Sequence, residues 1–143
     1  MSPAWENDTV VAGLVGAVLS GLPSTLVTLA RGEDVLDGAL AAGAIVLPRE
    51  RRALVLLAAA VPVHLALSLG WAAALARVLP RGRSGPAYGA AAGLAIAALD
   101  LGVIGRRIPA VRALPQGRQW ADHVAYGATV GAVLTIRACR TPS

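Results

Sequence analysis

Four ionisable side chains, His64, Asp100, Asp122 and His123, stand inside or at the edge of long apolar stretches. An aspartate brought to a histidine is the pairing used for proton transfer, one as acid and the other as base. Hydroxyl groups on Ser24, Thr28, Ser68 and Tyr126 fall in the same stretches. An ionised Asp in mid-membrane costs about 2.5–3.5 kcal/mol on insertion scales, so Asp100 must be neutral, hydrated or paired. Two readings follow. Asp100 relays protons or touches a ligand, or it hydrogen-bonds a neighbouring helix and fixes the packing. His64 divides the same way, between a proton carrier and a His–Ser bridge with Ser68. His123 stands close to a span end, where capping is its plain role. Asp122 suits the first turn of its helix.

Other chemistry has no footing. Two His and two Asp lack a short metal-ligand spacing such as HxxxH, so neither a metal nor a cofactor is expected. No phosphate loop, nucleophile elbow, CxxC or HExxH occurs. Cys139 is the single cysteine and has no base beside it.

The elements that must carry these groups follow from composition. Of 143 residues, 56% are hydrophobic and 15% charged, with a mean hydropathy of +0.64. A domain this small cannot bury so much apolar surface in a soluble core, whereas lipid accepts it. Residues 9–30 carry no charge over 22 positions, enough for a core of roughly 30 Å at about 1.5 Å per residue. Residues 53–76, 86–105 and 120–136 give three more spans, the last near the lower length limit. Residues 34–47 are apolar but short, opened by Asp34 and Asp37 and closed by Pro48, and read as an interfacial or re-entrant helix or a thin fifth span. The fold predicted is one all-α domain, a polytopic four-helix transmembrane bundle plus that short helix. Glu6 and Asp8 replace a basic leader, so no removable signal peptide is expected.

All 13 basic residues are Arg, and Lys and Phe are absent, which with abundant Ala and Gly reads as a GC-rich bacterial codon bias. The net charge of +5 is gathered in short clusters between apolar runs, which suits lipid headgroups and topology signals and not nucleic acid. Arg106, Arg107, Arg112 and Arg118 form the headgroup-contact set. Ile108, Val111 and Leu114 recur beside them at three-residue spacing, as in a segment lying on the membrane. The first and third loops carry eight Arg (31, 49, 51, 52, 106, 107, 112, 118), the second loop and tail five (77, 81, 83, 137, 140). The positive-inside bias then puts both termini outside the cytoplasm.

Small residues mark helix-packing faces. Gly13, Ala17, Ser20, Gly21, Ser24 and Thr28 share an arc of about 100° on the first span, and Pro23 should bend it, freeing a carbonyl for a nearby hydroxyl. Gly85, Gly89, Gly93 and Ala97 repeat every four residues, as do Gly127 and Gly131. Such spacing lets helix backbones approach closely in lipid. Asp100 continues the Gly93–Ala97 arc, and His123 lies on the Gly127–Gly131 stripe. A polar pocket of Ser24, Thr28, Asp100, His123 and Tyr126 is therefore predicted, with His64 and Ser68 deeper.

The stretch Pro62–Ile136 resembles the YagU-like bacterial inner-membrane proteins. The likeness rests on His64 and Ser68 in "HLALS", Pro80, the Gly-spaced third span, "GRRIPAVRALP" and His123, with a shorter Pro115–His123 distance here. It implies a polytopic inner-membrane protein and carries over no catalytic residues. The function expected first is a non-enzymatic bundle that binds a membrane lipid, a second copy or a partner membrane protein. A small oligomeric proton-coupled transporter or channel using Asp100, His64 or His123 comes second. An intramembrane enzyme acting on a lipid or terpenoid, with Asp100 and His123 as acid and base, comes third.

Overall fold

The computed structural model describes residues 3–140, all helix and connecting turns with no strand among them. Proline and glycine place most of the boundaries. Helix α1 (Pro3–Leu19) stops at a turn through Ser20 and Gly21, and α2 (Leu22–Ala30) restarts with Pro23 in its first turn. Pro23 cannot donate backward, so the first apolar run is broken where a bend was predicted. Gly32, with φ +67°, ends α2. There the amide of Gly32 donates to Leu29 and that of Glu33 to Thr28, the left-handed cap that only glycine adopts without strain.

Helix α3 (Asp37–Ala44) has eight residues, about 12 Å, too short for a fifth crossing. Gly43 lets it press onto the backbone of Leu56 in α4 (Ala53–Val78). Pro62 is tolerated within α4, while Leu79 turns extended before Pro80 and ends it. Helix α5 (Gly85–Leu99) runs into a π-helical turn at Asp100–Ile104 and a 3₁₀ turn at Gly105–Arg107. Ile108, extended before Pro109, breaks the chain into the short α6 (Pro109–Arg112). Pro115 then opens α7 (Gln116–Ala138).

Three stretches are long and apolar enough to cross a membrane: Trp5–Ala30, Ala53–Val78 and Gly85–Arg107. Helix α7 has 23 residues but carries Arg118, Asp122, His123 and Arg137 and is not among them.

The helices pack inside-out relative to a soluble domain. Leu134 and Val130 are the largest fully buried side chains, whereas Leu54 and Val18 are 82% and 76% exposed. The interior is made mainly of small residues. Helices α5 and α7 meet through glycines: a Cβ on Gly89 would overlap the Gly127 carbonyl, and one on Gly127 the Gly89 carbonyl. Gly131 stands likewise against Gly85, and Gly93 against the His123 carbonyl. Helix α1 packs on α4 and α7, with Gly13 against Leu69 and Ala72, and Gly16 under the Tyr126 ring. Gly21, in contrast, has nothing within 4 Å. It is a residue of the break and not of a packing face, because the turn there carries it off the helical arc.

Candidate functional site

Asp100 begins the π-helical turn, a distortion that is frequent at functional positions. Its Oδ2 accepts a hydrogen bond from the indole Nε1 of Trp71 on α4 at 3.0 Å. The same oxygen lies 3.6 Å from Nε2 of His123 on α7. Three helices thus converge on one carboxylate. His123 Nδ1 stands 2.7 Å from the Gln119 carbonyl. A carbonyl can only accept, so Nδ1 carries a hydrogen and Nε2 is the nitrogen that faces the Asp100 carboxylate. The close glycine seam positions this pair, since Gly93 admits the His123 backbone against α5.

The other predicted pocket residues are placed elsewhere. Tyr126 is buried and donates its hydroxyl to the Ser68 carbonyl, joining α7 to α4. His64 is exposed, and its Nε2 donates to the Ala17 carbonyl at 2.9 Å, in the last turn of α1 where carbonyls lack helical partners. It is no deep member of the pocket, because it stands two turns, about 10 Å, along α4 from Trp71 and meets the last turn of α1 instead. The Ser24 hydroxyl bonds the Gly21 carbonyl of its own chain segment at 3.2 Å. Thr28 accepts from Arg118 Nη1 at 3.0 Å.

Asp122 has a role that its place in the sequence did not reveal. It does not cap its own helix. Its Oδ1 accepts from the Ser24 backbone amide at 2.9 Å, a donor that the break before α2 leaves without a helical partner. The carboxylate of α7 thereby caps the second half of the broken first run. A gap at Ser20–Gly21 together with an acid on another helix was the available signal.

Arg118 also departs from its expected place among headgroup arginines. Its guanidinium grips Glu33 through both nitrogens, Nη2 to Oε1 at 3.1 Å, and its side chain is only 14% exposed. That hydrogen bond holds the Glu33 carboxyl below its ordinary range. A cavity of about 60 Å³ beside this pair is lined by Thr28, Asp34, Asp37 and Arg118 among others. Ile108, Val111 and Leu114 do not lie along a surface. Val111 is buried against Ala41, Ala97 and Leu101, with Ile108 and Leu114 packed on the same cluster, because α3 covers them.

Arg106, Arg107 and Arg112 remain exposed, and no ion pair engages them among the described residues. Arg106 and Arg112 line an open cavity of about 400 Å³ with Leu101, Gly102, Gln116 and Trp120. No group of three or more His, Cys, Asp or Glu is placed to hold a metal among the described residues. No family model, curated protein or solved structure matches the chain.

Proposed function

We propose that the chain is a multi-pass protein of the bacterial inner membrane, a four-helix bundle that binds lipid or a partner membrane protein and performs no chemistry. Helix α7 serves as the fourth crossing, shielded by α1 and α5. Its ionic residues near the two ends, Arg118 and Arg137, are paired with Glu33 and Asp8. The Arg bias puts the α3 and α6 side in the cytoplasm and both termini outside. The YagU-like likeness of Pro62–Ile136 points the same way.

One observation carries this reading. Each Asp and His side chain within the spans is engaged by another helix of the same chain: Asp100 by Trp71, His123 by Asp100, Asp122 by Ser24, His64 by Ala17. Groups consumed in this way join helices, as polar residues in lipid commonly do. Neither cavity described above is lined by Asp100 or His123. Extraction into native-lipid nanodiscs tests it: a lipid or protein retained at fixed stoichiometry is expected, and a preparation holding neither would overturn it.

The 3.6 Å approach of His123 to Asp100 favours a second reading, a proton carrier or acid–base pair. Reconstituted vesicles separate the two. A proton flux above that of empty vesicles, abolished by Asp100→Asn, would replace the first reading with the second.

A further inference from the structure

The acids of the chain are nearly all spoken for. Glu33 meets Arg118, Glu50 meets Arg52, Asp8 meets Arg137 and Asp100 meets His123. Asp122 and Asp34 accept from the backbone amides of Ser24 and Leu36. Glu6 lies in the first turn of α1, at the opposite end, and Asp37 opens α3. Arg106 and Arg112 nevertheless line one cavity, two permanent positive charges with no anion to separate them. Like charges so placed repel, and no acidic side chain among the described residues pairs with either of them.

The walls of this cavity are held in place. Gln116 Nε2 donates to the carbonyls of Val111 and Leu114 at 3.0 and 3.1 Å, tying the α6 turn to the start of α7. Trp120 packs on the Ala41, Ala97, Leu101 and Val111 cluster. The cavity sits at the first turn of α7, where the helix dipole adds to the attraction for an anion. Its volume of about 400 Å³ lies in the range of small-ligand sites, roughly 300–1,000 Å³. Two guanidiniums and an indole beside apolar Leu101 match a phosphate with an apolar attachment.

We propose that Arg106, Arg112 and Trp120, on a wall braced by Gln116, form a binding site for a phosphate group with a net negative charge, supplied as the phosphodiester of an anionic lipid headgroup or as free phosphate. This rests on the membrane-bundle reading, under which the site lies at the cytoplasmic headgroup level. Each exposed arginine that pairs directly with the phosphate contributes up to about fivefold in affinity, so loss of both should weaken binding about 30-fold.

The test uses the full chain in detergent, with lipid retention followed by native mass spectrometry. Phosphatidylglycerol is titrated against phosphatidylcholine, and inorganic phosphate is titrated by calorimetry. Arg106→Gln with Arg112→Gln is compared with Arg49→Gln plus Arg51→Gln, which removes the same charge from the same side. Phosphatidylglycerol bound in preference to phosphatidylcholine, and weakened about 30-fold only in the first double variant, supports a lipid site. Saturable inorganic phosphate, lost in that variant alone, supports the same site with a soluble source. Equal retention by both double variants overturns the proposal. Brominated phosphatidylglycerol gives an independent reading on the unaltered arginines: quenching of indole emission should drop in Trp120→Phe, and an unchanged quench contradicts the site. A chain that stays dispersed in water without detergent would instead defeat the membrane reading, a separate outcome.

Discussion

Gly127→Ala puts the contact between α5 and α7 under direct strain. The added methyl would stand 2.9 Å from both the Gly89 carbonyl carbon and the Gly93 amide nitrogen, and would overlap the Gly89 carbonyl oxygen. Those neighbours are backbone, so no rotamer change relieves the clash. The two helices have to separate by about an ångström or more, a gap that forfeits about half of each dispersion contact along the seam. Overpacking of this kind costs about 1–3 kcal/mol, against which the better helix propensity of Ala returns at most about 1. A net loss of about 1–2 kcal/mol is expected, or roughly 2–8 °C in melting temperature for a chain of this size. Gly70→Ala and Gly102→Ala are the controls, since a Cβ at either position meets nothing within 4 Å. They should be neutral or slightly stabilising. Thermal unfolding of the three variants in one detergent decides the matter. A Gly127→Ala protein as stable as Gly70→Ala would refute the close glycine seam.

Asp122→Ala should leave the Ser24 amide uncapped, at a cost of about 0.5–2 kcal/mol, and amide exchange at Ser24 should quicken roughly 2–30-fold; an unchanged rate would count against the cap. Trp71→Phe and Asp100→Leu should show a coupling of at least about 0.5 kcal/mol in a double-mutant cycle, because each removes the same hydrogen bond; strict additivity would mean that the indole and carboxylate do not meet. The Glu50 carboxyl, held at about 2 by hydrogen bonds from the Arg52 side chain and the Arg52 and Arg51 amides, should titrate well below an ordinary glutamate by carbon-detected NMR. Its folded value is depressed, so its stabilising effect is complete above the unfolded value near 4.5 and fades as pH falls toward 2. Arg52→Gln should move the midpoint upward, and an unmoved midpoint would exclude the ion pair.

Residue spacing made some of this architecture legible and left the rest hidden, for a geometric reason. Period and run length show which residues share a helix face and where proline must interrupt the helix. Thus the break before Pro23, the three long apolar helices and the common face of Gly85, Gly89 and Gly93 can be read from single stretches of chain. Which neighbour each face meets depends on the rotation of one helix about another, and no local pattern encodes that. Position along the axis is equally hidden: His64 and Trp71, seven residues apart on one face of α4, meet the Ala17 carbonyl and Asp100 respectively. Arg118 and Glu33 are 85 residues apart, and Asp122 and Ser24 are 98 apart; only the closed bundle brings them together. The three-residue spacing of Ile108, Val111 and Leu114 was ambiguous because an apolar edge fits lipid and a covering helix equally well.

Solvent and oxygen access along α1, α2 and α4 tests the membrane reading most directly. Spin labels on a Cys139→Ala background at Val18, Leu26, Val61 and Leu67, all exposed large apolar positions, would be compared with labels at Ala12 and Ala72, both fully buried. In lipid vesicles the four outer labels should collide readily with oxygen and rarely with a water-soluble nickel complex, while the two inner labels should be shielded from both. Frequent collision of the outer four with the nickel complex would show that these faces meet water, and would contradict the membrane bundle.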